Sequence, residues 1–158
     1  MKRVWLASIV LCVACGEEQP ENAYLTLSVL FAPRTAEAPY ARIGFQRASD
    51  DSLIYDAVLE LDDELSLQRV IAIEAAGSAL QKGGLDLALE RCADADCDEV
   101  HAVERLRLSR AFYRGEQTRF AWSEGSLEPS DAPHTLDACL VEGCGGYCDA
   151  QGRHVCEQ

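Results

Sequence analysis

Basic residues are scarce in this sequence. Its 158 residues include 14 Lys and Arg against 27 Asp and Glu, which gives a formal net charge of -13. This balance argues against nucleic-acid binding, because phosphate recognition requires clustered Lys and Arg. The same charge opposes adsorption of the protein surface to anionic lipid headgroups. The acidity therefore indicates a soluble surface that repels its own copies.

Long apolar segments are also lacking beyond residue 14, since no later run approaches the roughly 20 residues of a membrane-spanning helix. The sequence has no G-x-S-x-G, H-E-x-x-H, P-loop or dinucleotide-binding fingerprint, no internal repeat and no heptad pattern. His101 and His134 lie far apart and lack metal-ligand spacing. The many carboxylates carry no glycosidase signal, because any acidic protein supplies them. We therefore expect neither catalysis nor a bound cofactor.

The N-terminus has the parts of an export signal. Lys2 and Arg3 form a basic start, an apolar run covers residues 4–14, and hydrophobicity stops at Cys15. At about 11 residues, that run has the length of the apolar region of a signal peptide and is too short to span a membrane. An ordinary signal peptide cut near this position is the alternative interpretation.

The segment Val13-Ala14-Cys15-Gly16 resembles the lipobox of bacterial lipoprotein precursors, with Cys12 at a position where that family usually has Leu. The resemblance covers only the N-terminus. It implies cleavage after Ala14, diacylglycerol on the Cys15 sulfur and acylation of the new amino group. Gly16 is not the Asp of an inner-membrane retention signal, which implies an outer-membrane destination. Several acyl chains anchor a protein stably, so the membrane is an expected partner through the lipid on Cys15.

Eight cysteines are many for a chain of this length and indicate a disulfide framework in an exported protein. If Cys12 leaves with the signal and Cys15 is lipidated, an even number remains: Cys92, Cys97, Cys139, Cys144, Cys148 and Cys156. Cys92 and Cys97 flank a short acidic loop, for which we predict a disulfide at a hairpin tip. The other four lack the C-x2-C pairs of common zinc modules. We expect two disulfides there, in any of three connectivities, with a zinc site that includes His154 as the alternative.

A calcium site is a second metal hypothesis, because Asp94, Asp96 and Asp98 have the alternating carboxylates of a calcium loop. The EF-hand pattern requires Gly at its sixth position and Glu at its twelfth, where this chain has Glu99 and Arg105. An EF-hand is therefore excluded. A weak, irregular calcium site and a solvated acidic turn are the two remaining interpretations of residues Asp94 to Glu99.

Period-two alternation of apolar residues predicts about seven short strands between residues 24 and 123. The stretch 67–76 also has helical spacing, but its β-branched residues favour a strand. The last predicted strand contains Thr118, Phe120 and Trp122. Core packing is the expected role of the aromatic residues in this part of the chain, with an aromatic binding patch as the alternative: Phe112, Tyr113, Phe120 and Trp122.

Strands with one apolar face must pair those faces across a core, which predicts an all-β fold, an antiparallel immunoglobulin-like β-sandwich, over residues 23–125. The likeness is by analogy, because the Cys…Trp…Cys spacing of true immunoglobulin domains is absent. Residues 1–14 would be the signal peptide and residues 15–22 the lipidated N-terminus and tether. Residues 126–158 would form a small disulfide-rich tail, held by crosslinks because it cannot build a core.

The leading functional hypothesis is a non-enzymatic envelope lipoprotein. Its β-domain would bind an envelope protein or a glycan, or serve a structural role. The alternative is a small extracytoplasmic protein that binds calcium or zinc. A third class is an enzyme whose site residues converge only in the folded chain.

Overall fold

Ten strands form the part of the chain that this computed structural model describes, namely residues 22–75, 83–128, 132–138 and 147–155. The strands are β1 (Ala23–Phe31), β2 (Tyr40–Arg47), β3 (Leu53–Glu60), β4 (Leu67–Ala75), β5 (Leu85–Cys92), β6 (Val100–Arg110), β7 (Gln117–Ser123), β8 (His134–Asp137), β9 (Tyr147–Asp149) and β10 (His154–Val155). Sheet 1 has the order β10-β9-β7-β1-β4, and sheet 2 has the order β3-β2-β5-β6-β8. Within these residues no helix is long and apolar enough to cross a bilayer.

The two sheets pack their apolar faces around one core, as the one-faced strands predicted. Successive strand residues point to opposite faces, so the odd-numbered residues of β1 are buried and the even-numbered ones face outward. The largest fully buried side chains come from both sheets and their connections: Trp122, Phe31, Phe45, Phe112 and Phe120. The prediction of an all-β sandwich is confirmed, while its immunoglobulin-like character stays a prediction.

The stretch 67–76, which had both strand and helix spacing, forms strand β4 up to Ala75. It pairs antiparallel with β1, where Leu27 faces Ile71 and Leu25 faces Ile73. Both isoleucines are buried against the core. The β-branched residues thus indicated the correct secondary structure.

Strand direction differs from the wholly antiparallel arrangement that we expected, because three of the eight described strand pairs are parallel. The longest of these joins β1 to β7, with Tyr24 opposite Gln117 and Leu30 opposite Ser123. Parallel neighbours require a long connection between them. The chain provides one here, since four of the five strands of sheet 2, together with β4, lie between β1 and β7 in the sequence.

The last predicted strand, β7, is followed by three short strands within residues 126–158. β8 pairs with β6 at the edge of sheet 2, and β9 pairs with β7 in sheet 1. Cys148 and Ala150 belong to the hydrophobic core. Strand pairing and core contacts therefore hold this segment, in addition to the disulfide bond that Cys148 forms.

The strand directions give the sandwich two distinct ends. The N-terminal pole contains Ala23 and the turns 48–52 and 111–116, where the Tyr24 amide donates to the Glu116 carbonyl. The disulfide pole contains the loops 61–66 and 93–99. β1 separates the two poles and, with nine residues, is about 26 Å long.

Candidate functional site

A charged depression lies on the outer face of sheet 2. Across its middle, Gly44 of β2 lies between Asp56 of β3 and Ala88 of β5, and Ala88 faces Arg105 of β6. Gly44 has no side chain and Ala88 has only a methyl group, so the surface sinks between the larger residues around them. A Cβ placed on Gly44 would meet no atom within 4 Å. The depression has a volume of about 330 Å³, at the lower end of the range for small-molecule sites.

Strand alternation explains why polar residues gather on this face. Ile43, Phe45, Leu87 and Leu89 point into the core. Their neighbours along β2 and β5 therefore point outward. The result is a sheet surface on which charged residues of four adjacent strands lie side by side.

Two bidentate ion pairs flank the floor of the depression. Arg42 donates through Nε and Nη2 to both carboxylate oxygens of Asp56, each at 2.7 Å. Arg107 donates in the same way to both oxygens of Asp86, each at 2.6 Å. The hydrogen bonds from Arg42 lower the pKa of Asp56, and those to Asp86 raise the pKa of Arg107. Each of these two arginines is therefore joined to a carboxylate of the protein by two charge-assisted hydrogen bonds.

Arg105 differs from these two arginines. Arg105 is half-buried, and no hydrogen bond or ion pair joins its guanidinium to any other residue in the described part of the chain. The register places Asp86 and Glu90 diagonally across from Arg105 on β5. Diagonal positions on neighbouring strands lie roughly 7–8 Å apart. The planar set of N–H donors on Arg105 is therefore available to an anionic group that enters the depression.

A second depression, of about 540 Å³, lies on the outer face of sheet 1. Its polar side chains hydrogen-bond to one another: Gln68 Nε2 donates to Ser28 Oγ at 2.8 Å, and Gln117 Nε2 donates to Thr26 Oγ1 at 3.4 Å. Arg119 at this surface also has an interaction partner. Because both glutamine amides already donate to neighbouring side chains and Arg119 already has a partner, this face is the weaker candidate for a ligand site.

The acidic loop closes with a disulfide, in line with the hairpin-tip prediction. Cys92 and Cys97 are joined, with their Cα atoms 5.1 Å apart. Asp94 accepts hydrogen bonds from the backbone N–H groups of Asp96, Asp98 and Glu99, at 3.0 to 3.1 Å. The bond from the Asp98 N–H is the main reason that the pKa of Asp94 is lowered. The carboxylate of Asp94 thus organises the loop.

The metal hypotheses gain no support from this geometry. Both carboxylate oxygens of Asp94 already face N–H donors. Among the described residues, no three or more His, Cys, Asp or Glu side chains are grouped so that they could share a metal ion. Calcium binding at Asp94 to Glu99 therefore stays a prediction.

The remaining candidate residues are dispersed or lie outside the described residues. His134 Nε2 is 3.1 Å from the Glu128 carbonyl, and His101 is 3.9 Å from Glu99. Phe112, Phe120 and Trp122 are core residues, as expected, and the Tyr113 hydroxyl donates to the Ala138 carbonyl. Outside the described residues lie four predicted site residues: Cys15, Cys139, Cys144 and Cys156. Their lipidation, pairing or zinc binding stays a prediction.

The depression itself was missed by sequence reasoning, which noted Arg105 only as a mismatch to the EF-hand pattern. One local signal was present. Gly44 interrupts an otherwise regular strand, and a glycine inside a strand often marks a place where another molecule approaches the backbone closely.

Comparisons with protein-family models, curated proteins and solved structures find no match to this chain. The functional assignment therefore depends on the N-terminal sequence signal and on the geometry of the sheet surface.

Proposed function

We propose that this protein is a lipid-anchored, non-catalytic binding module of the cell envelope. The observation that carries the binding role is the charged depression of sheet 2, where Arg105 has no partner among the described residues and lies beside an open floor at Gly44 and Ala88. The proposed anchor is supported by the lipobox-like segment Val13-Ala14-Cys15-Gly16, in which Cys15 would carry the lipid. The outer membrane is its proposed location, because Gly16 does not match the inner-membrane retention signal.

The position of the N-terminus is compatible with such an anchor. Residues 16–22 are seven residues and can span at most about 25 Å. They lead directly into β1 at Ala23, so a lipid on Cys15 would hold the N-terminal pole close to the membrane. The depression on sheet 2 would then face sideways from the tether and stay open to ligands.

The distribution of acidic residues supports the same orientation. At the disulfide pole, loop 61–66 carries three carboxylates and loop 93–99 carries four. At the N-terminal pole, turns 48–52 and 111–116 together carry three, and the tether 16–22 carries three more. Anionic headgroups repel negative charge. A tether at the less acidic pole therefore places the more acidic pole away from the bilayer.

Replacement of the lipidated cysteine tests the anchor. We expect Cys15→Ala to abolish incorporation of labelled palmitate into the protein and to release it from the membrane fraction. Cys12→Leu is the matched control, since it removes a cysteine three residues away and introduces the residue that the lipobox usually has at that position. Unchanged labelling and membrane association of the Cys15→Ala variant would reject the anchor.

A further inference from the structure

We propose that the charged depression of sheet 2 binds a ligand that carries one carboxylate next to several hydroxyl groups, the chemistry of a uronic acid residue in an acidic glycan. This inference rests on the proposed binding function and names its ligand class.

The pairing of charges in the depression favours a single carboxylate. The depression is lined by three arginines and three carboxylates: Arg42, Arg105, Arg107, Asp56, Asp86 and Glu90. Arg107 is paired with Asp86, and Arg42 is paired with Asp56 and lies 3.8 Å from Glu90 through its Nη1, so these two arginines face all three carboxylates. Among the described residues, Arg105 is therefore the arginine of the depression that has no hydrogen bond or ion pair. A guanidinium matches a carboxylate through two parallel N–H···O bonds. An anion with two charges on one group, such as phosphate, would be repelled by Asp86 and Glu90, which lie diagonally across from Arg105, whereas the carboxylates of an acidic glycan stand on separate rings.

The flanking ion pairs favour hydroxyl groups on the ligand. Arg42 and Arg107 keep 39% and 43% of their side-chain surface exposed, although each holds a carboxylate. Each pair therefore presents unused N–H donors beside carboxylate oxygens that can accept further hydrogen bonds. A hydroxyl group is both a donor and an acceptor, so neighbouring hydroxyls on a sugar ring can bridge these edges.

The floor provides the space for a ring. Gly44 contributes no side chain and Ala88 only a methyl group, and no atom occupies the volume next to the Gly44 Cα where a Cβ would stand. A sugar ring can therefore approach the backbone of β2 and β5 while its carboxylate contacts Arg105. A larger side chain at position 44 would close this space without changing any charge.

Isothermal titration of the full-length protein in a nonionic detergent tests the ligand class. The probes are tetragalacturonate, its uncharged methyl ester, a tetraglutamate peptide and inorganic phosphate. We expect tetragalacturonate to bind and the methyl ester to bind at least about tenfold more weakly, because a hydrogen-bonded charge pair is lost. Absence of heat with tetragalacturonate would overturn the proposal. Equal or tighter binding of tetraglutamate or phosphate would also overturn it.

Three variants locate the site. Arg105→Gln should weaken tetragalacturonate binding by about tenfold or more. Arg119→Gln removes the same charge from the outer face of sheet 1 and should leave the affinity within about twofold. Gly44→Val should abolish binding with no loss of thermal stability, because valine favours strands and its Cβ meets no atom within 4 Å. Equal weakening by both arginine variants, or full binding by Gly44→Val, would reject this site.

Palmitate labelling of the same preparations separates this inference from the anchor. Labelling at Cys15 without heat from tetragalacturonate would reject the ligand class and leave the anchor in place. Binding without labelling would reject the anchor and leave the ligand site in place.

Discussion

Arg91 and Glu124 join the two sheets at the disulfide pole. Arg91 lies near the end of β5, and its Nη2 is 2.6 Å from Oε2 of Glu124, which follows β7. Glu124 Oε2 also accepts the Ala32 N–H at 2.9 Å, and Arg91 Nη2 donates to the Ala32 carbonyl at 2.7 Å. Their side chains are only 12% and 16% exposed. The pair therefore closes a polar network between the ends of strands from both sheets.

Removal of Glu124 should destabilise the fold strongly. Glu124→Ala leaves the mostly buried guanidinium of Arg91 without its counter-charge, and we expect the free energy of unfolding to fall by about 3 kcal/mol. Asp56→Ala is the matched control, because it breaks an equally bidentate but more exposed pair and should cost about 0–1 kcal/mol. Urea unfolding measures both values. Similar losses for the two variants would contradict the assigned role of the Arg91–Glu124 pair.

Two glycines should respond in opposite ways to the addition of a methyl group. A Cβ on Gly84 would lie 2.7 Å from the Leu108 carbonyl oxygen, a backbone atom that cannot move aside. Gly84→Ala should therefore reduce the free energy of unfolding by about 1–3 kcal/mol. Gly44→Ala has free space and should be neutral or stabilise the fold by about 0.5 kcal/mol, since glycine is unfavourable inside a strand. Thermal unfolding compares the two variants, and an equal loss of stability in both would refute this prediction.

Thr118 is a polar side chain buried where β1, β7 and the end of β6 meet. Its Oγ1 lies 3.1 Å from the carbonyl oxygens of both Tyr24 and Ala111. Thr118→Val keeps the shape but leaves a buried carbonyl without a donor, so we expect a loss of about 2 kcal/mol in chemical denaturation. Thr118→Ser keeps the hydroxyl and should retain the hydrogen bonds. The prediction fails if the serine variant is the less stable of the two.

The acidic turns should make stability depend on pH in the acid range. Asp50, Asp62 and Asp94 each have a pKa below the ordinary 3.8, because of hydrogen bonds from Ser52, Glu64 and Asp98 respectively. With these depressed values, the unfolded chain binds more protons than the folded one, so stability increases with pH. The contribution is complete above about pH 4 and is lost as the pH falls through the folded-state values.

Melting temperatures between about pH 2 and pH 6 measure this effect. The triple variant Asp50→Asn, Asp62→Asn and Asp94→Asn should be less stable at neutral pH. Its melting temperature should also fall less steeply as the pH decreases. Asp96→Asn with Asp98→Asn is the control, because these two carboxylates accept no hydrogen bond from the described residues. If the melting temperature of the triple variant falls as steeply with decreasing pH as that of the unchanged protein, the three aspartates are not the origin of the pH dependence.

Strand positions were predictable because burial on one face imposes a period of two on each strand. In β1, Leu25, Leu27 and Val29 alternate with smaller or polar residues, and the same physics places Leu106 and Leu108 in the core. The short tail strands carry no such signal. β8 has four residues and β9 has three, which is too few for a period to be recognised.

Relationships between distant residues could not be predicted. The parallel pairing of β1 with β7 depends on how the whole chain folds back, and no local pattern encodes it. Arg91 and Glu124 are 33 positions apart. Arg105 can be recognised as the unpaired arginine among the described residues only when the pairs of Arg42 and Arg107 with their carboxylates are known. A binding surface of this kind depends on which charges remain unpaired, and composition alone cannot reveal that.

The position of β1 between two hydrogen-bonded neighbours has a mechanical consequence. β1 lies between β4 and β7, and its hydrogen bonds to both neighbours run across the strand axis. Tension applied at residue 22 along the strand would load both ladders in shear, so that many bonds must break together instead of opening one at a time. β1 is thereby suited to resist extraction from the fold by pulling.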